Sequence, residues 1–350
     1  MRILITGGAG FVGSTLAVRL AGNGYVVTVL DNLSRAGSDL NVARLEGAGA
    51  AVVRGDVRHP DAFEACGAFD LLINAAAEPS VHAGGAGDGD VLLGSNLTGS
   101  MNALEAARIH GADVIFLSSS RVYPIAALNA LPLDIGASRY DVPAQASGQG
   151  WSGAGINEGF PLNGRRSLYG ASKLAAETLV LEYGAAYGLR TVVNRLGVVA
   201  GPWQMGRVDQ GFVALWAARH VFGGQLACRG FGGEGRQVRD ILHPEDLADL
   251  VERQLARLDS VAGQTFNVGG GRQGSVSLRE LTTLCRARGD VQPGMDRVPE
   301  TDSVDIPWYI TDNHRVMEAT GWAPRRPPEQ VVDDTFRWLR DHRHDLAGVL

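Results

Sequence analysis

Cysteine is scarce: the 350 residues hold only Cys66, Cys228 and Cys285. None has a near partner at a metal-ligand spacing, so no metal site is read here, and the three fit reduced thiols of a cytosolic protein. Positive charge is short as well. A formal net charge of −6 excludes nucleic acid as the principal partner, because binding a polyphosphate needs a basic face. A local basic pocket for one small phosphorylated ligand stays possible. No apolar run approaches the roughly 20 residues of a membrane helix, and no membrane partner is expected. The chain enters directly on Met1-Arg2-Ile3-Leu4-Ile5-Thr6-Gly7, a strand and a turn, whereas a secretory leader has a basic start and a longer apolar stretch. The expected compartment is cytoplasmic.

Glycine is plentiful, with 47 residues and no period. Its clusters at Ala83–Gly89 and Ser147–Gly155 read as mobile loops. With 45% hydrophobic and 20% charged residues the composition is that of a globular protein. The length allows one large domain or two that share a core.

The first half alternates two patterns. Ile3–Thr6, Val26–Leu30, Ala51–Val53, Leu71–Asn74 and Val114–Ser118 are aliphatic runs of strand length, and Phe11–Gly22, Asp61–Cys66 and Val91–His110 have helical patterning. Leu168–Tyr187 and Arg190–Asn194 repeat the unit. The fold class is α/β: a doubly wound parallel sheet of the Rossmann kind, with ligands expected beyond the carboxyl ends of its strands. Pro124–Arg166 is too long for a simple connection and reads as a lid or a disordered loop. The expected division is a dinucleotide-binding domain over 1–200, to which 236–268 returns, and a smaller mixed α/β substrate part over 201–235 and 269–350. No linker is visible, so the parts are expected to form one body with a cleft.

Thr6-Gly7-Gly8-Ala9-Gly10-Phe11-Val12-Gly13 leaves a strand and opens a helix. A turn without Cβ atoms lets backbone N–H groups approach a pyrophosphate, whose charge then sits at the helix N-terminus. Asp31 follows about 20 residues on, where a carboxylate accepts from the adenosine ribose hydroxyls. It would repel a 2′-phosphate, which favours NAD over NADP; Arg35 is the feature that points the other way. Asp56-Val57 suits either an adenine contact or, near Pro60, a helix cap. Tyr169-Gly-Ala-Ser-Lys173 sets a phenol and an ammonium one helical turn apart. A phenol near pKa 10 is a poor base at neutral pH, and a cation beside it favours the phenolate. Ser118-Ser119-Ser120-Arg121 follows the fifth strand, where a hydroxyl either meets a substrate oxygen beside Tyr169 or caps a turn.

The glycine triplet, Asp31, Asn74-Ala75-Ala76, Asn96, Ser119, Tyr169 with Lys173, Arg239-Asp240 and Asn267-Val-Gly-Gly stand in the order found in the extended short-chain dehydrogenase/reductase family. The chain resembles its members that act on nucleotide sugars over nearly its whole length. Asp31-Asn32-Leu-Ser-Arg35, Gly55-Asp-Val-Arg58, Asp209-Gln210-Gly-Phe-Val and Gly235-Arg-Gln-Val-Arg-Asp240 look most like the CDP-tyvelose 2-epimerase branch. The resemblance implies Ser119, Tyr169 and Lys173 as the catalytic set, with Tyr169 the acid/base and Lys173 also on the nicotinamide ribose. It implies NAD contacts from Gly7, Gly10, Phe11, Val12, Gly13, Asp31, Asn32, Asp56, Val57, Ala75, Ala76 and Asn96. It further implies a homodimer or homotetramer through the helices Val91–His110 and Leu168–Tyr187.

Two departures qualify the likeness. Dehydratases of the family have an Asp-Glu pair after the catalytic hydroxyl; Ser120-Arg121 stands here, which argues against 4,6-dehydration. Relatives have an arginine for the nucleotide diphosphate within Pro299–Asp305; this chain has none there. Arg239 is then the best candidate for the substrate's phosphates, the other reading being an internal pair with Asp240 or Glu245. Glu78, His82, Ser119, Arg121 and Gln210 complete the candidate substrate contacts, and Trp203 and Gln204 are further candidates for the pocket wall. The expected activity is epimerisation of a nucleotide-activated hexose, preferably at C2 of a CDP-hexose through a transient keto sugar. A UDP- or dTDP-sugar 4-epimerase or another oxidoreductase would use the same residues. A protein of a different class, a non-catalytic NAD-binding regulator, would share the fold alone.

Overall fold

The computed structural model describes residues 1–80, 89–206, 211–346 and 349. Five short aliphatic runs become β1 (Arg2–Thr6), β2 (Val26–Asp31), β3 (Ala51–Arg54), β4 (Leu71–Asn74) and β5 (Asp113–Ser119). Between and after them lie α1 (Phe11–Gly22), α2 (Leu40–Gly47), α3 (Asp61–Glu64), α4 (Gly89–Leu93), α5 (Gly99–His110), α6 (Ile125–Asn129) and α7 (Leu168–Tyr187). The strands pair in parallel, and Thr191–Leu196 and Gln264–Val268 join them in one seven-stranded sheet. From one edge the order is Gln264–Val268, Thr191–Leu196, β5, β4, β1, β2, β3. The winding reverses at β1, which lies between β4 and β2, so a crevice opens at the carboxyl ends there. This is the doubly wound α/β fold expected from the sequence.

The two-residue period of the strands feeds two cores. Ile3 and Ile5 face α1 (Leu16, Leu20) and the helix Pro244–Ala256 (Leu247, Val251). Leu4 and Leu72 face the opposite side, against Ala103 and Leu104 of α5 and Ala176 and Val180 of α7. The helix expected over Val91–His110 is present with one change: Gly94–Thr98, between α4 and α5, winds as a π-helix. Such wide turns are uncommon and cluster at functional sites.

Pro124–Arg166 differs from the loop expected of it. It contains α6, a hairpin of Asp134–Ile135 with Tyr140–Asp141, and a meander of Ser147–Gly148, Trp151–Ser152 and Gly155–Ile156. Leu128, Val142, Ile156 and Phe160 bury against Trp308, Tyr309 and Ile310. The glycine cluster at Ser147–Gly155 is therefore packed turn rather than free loop. At Gly150 (φ +72°) a Cβ would lie 1.9 Å from the backbone nitrogen of Phe160. Of the cluster at Ala83–Gly89, residues 83–88 lie outside the described residues.

The helices Phe212–Phe222, Leu278–Arg286 and Pro328–Asp341 enclose another core with Val213, Trp216, Leu281 and Phe336. Of the 236–268 stretch, Pro244–Ala256 packs on α1 and Gln264–Val268 ends the main sheet. Val238–Leu242 instead pairs with Val198–Val199, Ser275–Ser277 and Trp308–Tyr309. Among the described residues no helix is long and apolar enough to cross a membrane.

Candidate active site

Two adjoining cavities follow the carboxyl edge of the sheet. The first, of about 410 Å³, runs over the turn between β1 and α1 and along the ends of β2, β3 and β4. Gly7 there has φ +64°, and a Cβ would fall 2.7 Å from Cα of Ala76; a Cβ on Gly13 would fall 2.3 Å from the Gly7 carbonyl oxygen. α1 starts at Gly10 with no side-chain cap and no acidic residue in its first turn. Its first N–H groups are thus left for an anion. Gly10, Phe11, Val12, Asp31, Asn32, Asp56, Val57, Ala75 and Ala76 line the same cavity.

Asp31 accepts from the backbone N–H groups of Ala9 (3.0 Å) and Leu33 (2.8 Å), which ties the ribose-side carboxylate to the phosphate turn. Burial nonetheless pushes its pKa up. Asp56 caps no helix, since α3 starts after Pro60. It accepts from Asn32 (2.9 Å) and from the Arg58 side chain (2.6 Å), and the bond to Arg58 holds its carboxyl well below the usual range. Arg35 also lines this cavity.

The second cavity, about 590 Å³, lies between the sheet edge and the parts built from Val198–Val199, Phe212–Phe222, Gln225–Arg229 and Val238–Leu242. Phe11, Val12, Pro79 and Gln204 line both cavities, so the two spaces adjoin there. Ser119 and Tyr169 face this second space. Ser119 ends β5 and its Oγ accepts from the Arg121 backbone N–H at 3.2 Å; the cap and the cavity-facing hydroxyl are one residue. Tyr169 occupies the first turn of α7, whose cap Ser167 accepts from the N–H of Gly170 at 3.2 Å. Burial raises the phenol's pKa, while the Ser119 hydroxyl and the Arg121 guanidinium pull it down and Glu78 opposes them.

Lys173 is buried one helical turn along α7 from Tyr169. Its Nζ donates to the Leu117 carbonyl at 3.0 Å and lies 4.9 Å from the centre of the Phe116 ring, and it lines neither cavity. Residues four apart share a helix face, yet the longer lysine extends under the sheet edge while Tyr169 faces the cavity. Burial lowers the ammonium to about 8, against an upward pull from Glu177. Glu177 is salt-bridged to Arg195 at 2.8 Å and accepts from Ser118 at 2.5 Å.

Asn96, in the π-turn, is fully buried and lines neither cavity. Its amide accepts from the Glu78 N–H (2.7 Å) and donates to the Glu78 carbonyl (3.2 Å) and Ser172 Oγ (3.1 Å). It thereby fixes the segment that places Glu78 at the cofactor cavity. Trp203 packs on Trp338 and under Arg44 instead of lining the pocket, whereas Gln204 lines it. His82 and Gln210 lie outside the described residues.

Arg239 and Arg121 both face the second cavity. Arg239 pairs with neither acid proposed for it: it donates to the carbonyls of Val238 (2.7 Å) and Ile306 (2.8 Å). Asp240 accepts from the backbone N–H groups of Gly271 and Thr311, and Glu245 pairs with Arg19. Burial and the nearby Arg121 lower Arg239 to about 9. Sequence reasoning missed Leu215 and Trp216 in the wall, and Arg229, Phe231, Asp296 and Asp305 at its far side. Only the apolar run after Gly211 could have signalled the first two.

The chain matches the NAD dependent epimerase/dehydratase family over residues 3–269. It belongs to that family. A CDP-paratose 2-epimerase of Salmonella typhi is 30% identical over 97% of this chain and 99% of that protein. A dTDP-glucose 4,6-dehydratase of Mycolicibacterium smegmatis is 29% identical over 97% of this chain and 93% of its own. Among solved structures, a UDP-glucose 4-epimerase of Thermus thermophilus in complex with NAD superimposes with TM-score 0.74 at 28% identity, covering 97% and 99% of the two chains. The protein is an NAD-dependent enzyme of the nucleotide-sugar epimerases and dehydratases of the extended short-chain dehydrogenase/reductase family.

The first cavity fits NAD on its own geometry. Gly7 and Gly13 leave room for a pyrophosphate over an uncapped helix start, and Asp31 lies at the end of β2 where the adenosine ribose belongs.

Proposed function

We propose that this family enzyme interconverts two epimers of a nucleotide-activated hexose, with C2 of a CDP-hexose as the reacting centre. The observation that supports this most is the joining of the two cavities beside Ser119 and Tyr169, with no carboxylic acid at positions 120 and 121. A 4,6-dehydration expels the 6-hydroxyl and needs an acid there; Ser120 and Arg121 do not supply one. When bound, NAD supplies the acceptor for a hydride from the sugar carbon and gives it back. Tyr169 takes the proton of that carbon's hydroxyl as its phenolate. The Ser119 hydroxyl, within reach of Tyr169, steadies the same sugar oxygen by a hydrogen bond. Arg239 holds the phosphates, because its guanidinium spends its described bonds on carbonyls and forms no ion pair with the described residues. After the 2-keto sugar presents its other face, Tyr169 returns its proton. No redox equivalent is consumed, so NAD is retained through the cycle.

The experiment is to purify the protein without added cofactor, denature it and identify the small molecules released. About one equivalent of NAD per chain, with a nucleotide sugar beside it, is the expected result, and the sugar's nucleotide names the substrate class. If no cofactor is released and NAD binds weakly, the enzyme is a dehydrogenase that exchanges its cofactor.

A second reading, 4-epimerisation of a UDP- or dTDP-sugar, is favoured by the likeness to the NAD-bound 4-epimerase. Product analysis by carbon position separates the two.

A further inference from the structure

Among the described residues that line both cavities, Phe11, Val12, Pro79 and Gln204, only Gln204 has a polar side chain. It is 5% exposed. Its Nε2 donates to the Val199 carbonyl at 3.1 Å, while its Oε1 has no hydrogen-bond partner among the described residues. Exchanging the two ends of the amide would set one carbonyl oxygen against another, so the bond to Val199 fixes which atom is left over. Val199 is fixed in turn, because Val198–Val199 pairs with Val238–Leu242. The start of the helix Phe212–Phe222 packs on the other side, where a Cβ on Gly211 would lie 3.2 Å from Cδ of Gln204. The free oxygen is thus held where the two cavities meet.

A buried carbonyl oxygen that has left water without gaining a donor is costly, and that cost is recovered when a ligand brings the donor. The turn between β1 and α1 receives the pyrophosphate of NAD in the first cavity, whereas Ser119 and Tyr169 face the second. A nicotinamide that reaches them crosses the junction. Oxidised nicotinamide has one hydrogen-bond donor, the N–H2 of its carboxamide. Phe11, Val12 and Pro79 present no side-chain acceptor to it; Gln204 does. A sugar hydroxyl is the other donor that could come to this place, and the test below separates the two.

We propose that Gln204 Oε1 accepts from the carboxamide N–H2 of the bound nicotinamide and so fixes which face of the ring is turned to the sugar. The carboxamide is attached to one side of the ring, so a hold on it stops the ring from turning over about its glycosidic bond. The claim concerns cofactor binding alone and is independent of the sugar, its nucleotide and the carbon that reacts.

The test uses 3-acetylpyridine adenine dinucleotide, in which a methyl group replaces the carboxamide N–H2 and the carbonyl stays. NAD-loaded protein is incubated with an excess of an equimolar mixture of NAD and this analogue, then denatured, and the two nucleotides released are quantified. A parallel run from protein loaded with the analogue confirms equilibrium. The wild type is expected to hold NAD in preference by about tenfold. Gln204→Met, which keeps the length of the side chain and removes both polar atoms, is expected to bring the ratio to about one; Gln204→Leu serves should that variant fail to fold. A wild-type ratio of about one overturns the proposal without any variant. A preference that survives in Gln204→Met also overturns it and leaves a sugar hydroxyl as the partner of Oε1. Bound cofactor is the readout, so a protein inactive on every nucleotide sugar would still decide the question.

Discussion

Tyr169 and Ser119 share one wall of the sugar cavity, and the phenol's ionisation balances burial against a hydroxyl and a guanidinium. Removing the phenolic oxygen removes the proton acceptor. Tyr169→Phe is expected to lower turnover by about 10³-fold while retaining NAD; activity equal to the wild type would remove Tyr169 from the catalytic set. The base form accumulates as pH rises, so turnover is expected to increase with pH on its acid side. At Gly13 the constraint is spatial. Gly13→Ala puts a Cβ 2.3 Å from the Gly7 carbonyl, and the expected outcome is protein that no longer copurifies with NAD, checked by the released-nucleotide assay. These residues were legible because their chemistry is local: a turn without Cβ atoms, and a phenol at the start of a helix. The approach of the Arg121 carbonyl to Gly170 was not, because it depends on how α7 docks against the turn after β5. Asn96 shows another limit. Its position in the sequence pattern pointed to the cofactor, and its bonds to Glu78 and Ser172 become visible only with the π-turn.

The strands and helices of the first half could be read from the sequence because a parallel sheet buried on both faces writes itself as aliphatic runs. Pro124–Arg166 could not, because its small strands are stabilised by Trp308, Tyr309 and Ile310, far along the chain. α7 offers an element-scale test. Gly170→Ala would press on the Arg121 carbonyl, shift the first turn of α7 and separate Tyr169 from Ser119. Turnover is expected to fall at least about tenfold, and the melting temperature with it; unchanged kinetics would contradict the docking described. The helix Pro244–Ala256 provides a pH test. Its cap, His243, accepts from the N–H of Glu245 through Nδ1 at 3.1 Å, which requires the neutral ring. Burial, with help from Arg326, lowers its pKa from 6.5 to about 4. The folded state therefore binds fewer protons than the unfolded chain between those values. Its contribution is complete above pH 6.5 and declines as pH falls toward 4, by roughly 3 kcal/mol at about 1.4 kcal/mol per unit. Denaturant melts of His243→Asn, which keeps a capping acceptor without the proton, are expected to show a flatter loss over that range.

Across the whole molecule, the Phe212–Phe222 and Val238–Leu242 segments supply walls of the second cavity, which meets the first at Phe11, Val12, Pro79 and Gln204. The sheet itself could be foreseen, but the substrate side could not, since its walls come from irregular segments with no shared period. On the outside, α5 and α7 leave Met101, Ile109, Leu168 and Tyr187 exposed. We propose that this face pairs two copies of the chain, as the family resemblance implies. Light scattering at micromolar concentration is expected to give a dimer or larger, and Ile109→Asp to shift it toward monomer. In the proposed reaction a hydride leaves the sugar and returns to the same carbon. The most direct measurement is to incubate the enzyme with a CDP-hexose in deuterated water and follow the C2 position by NMR. Conversion to the C2 epimer, with protium kept at C2 and no NADH released, is the predicted result. Deuterium at C2, net NADH, or a change at another carbon would contradict it.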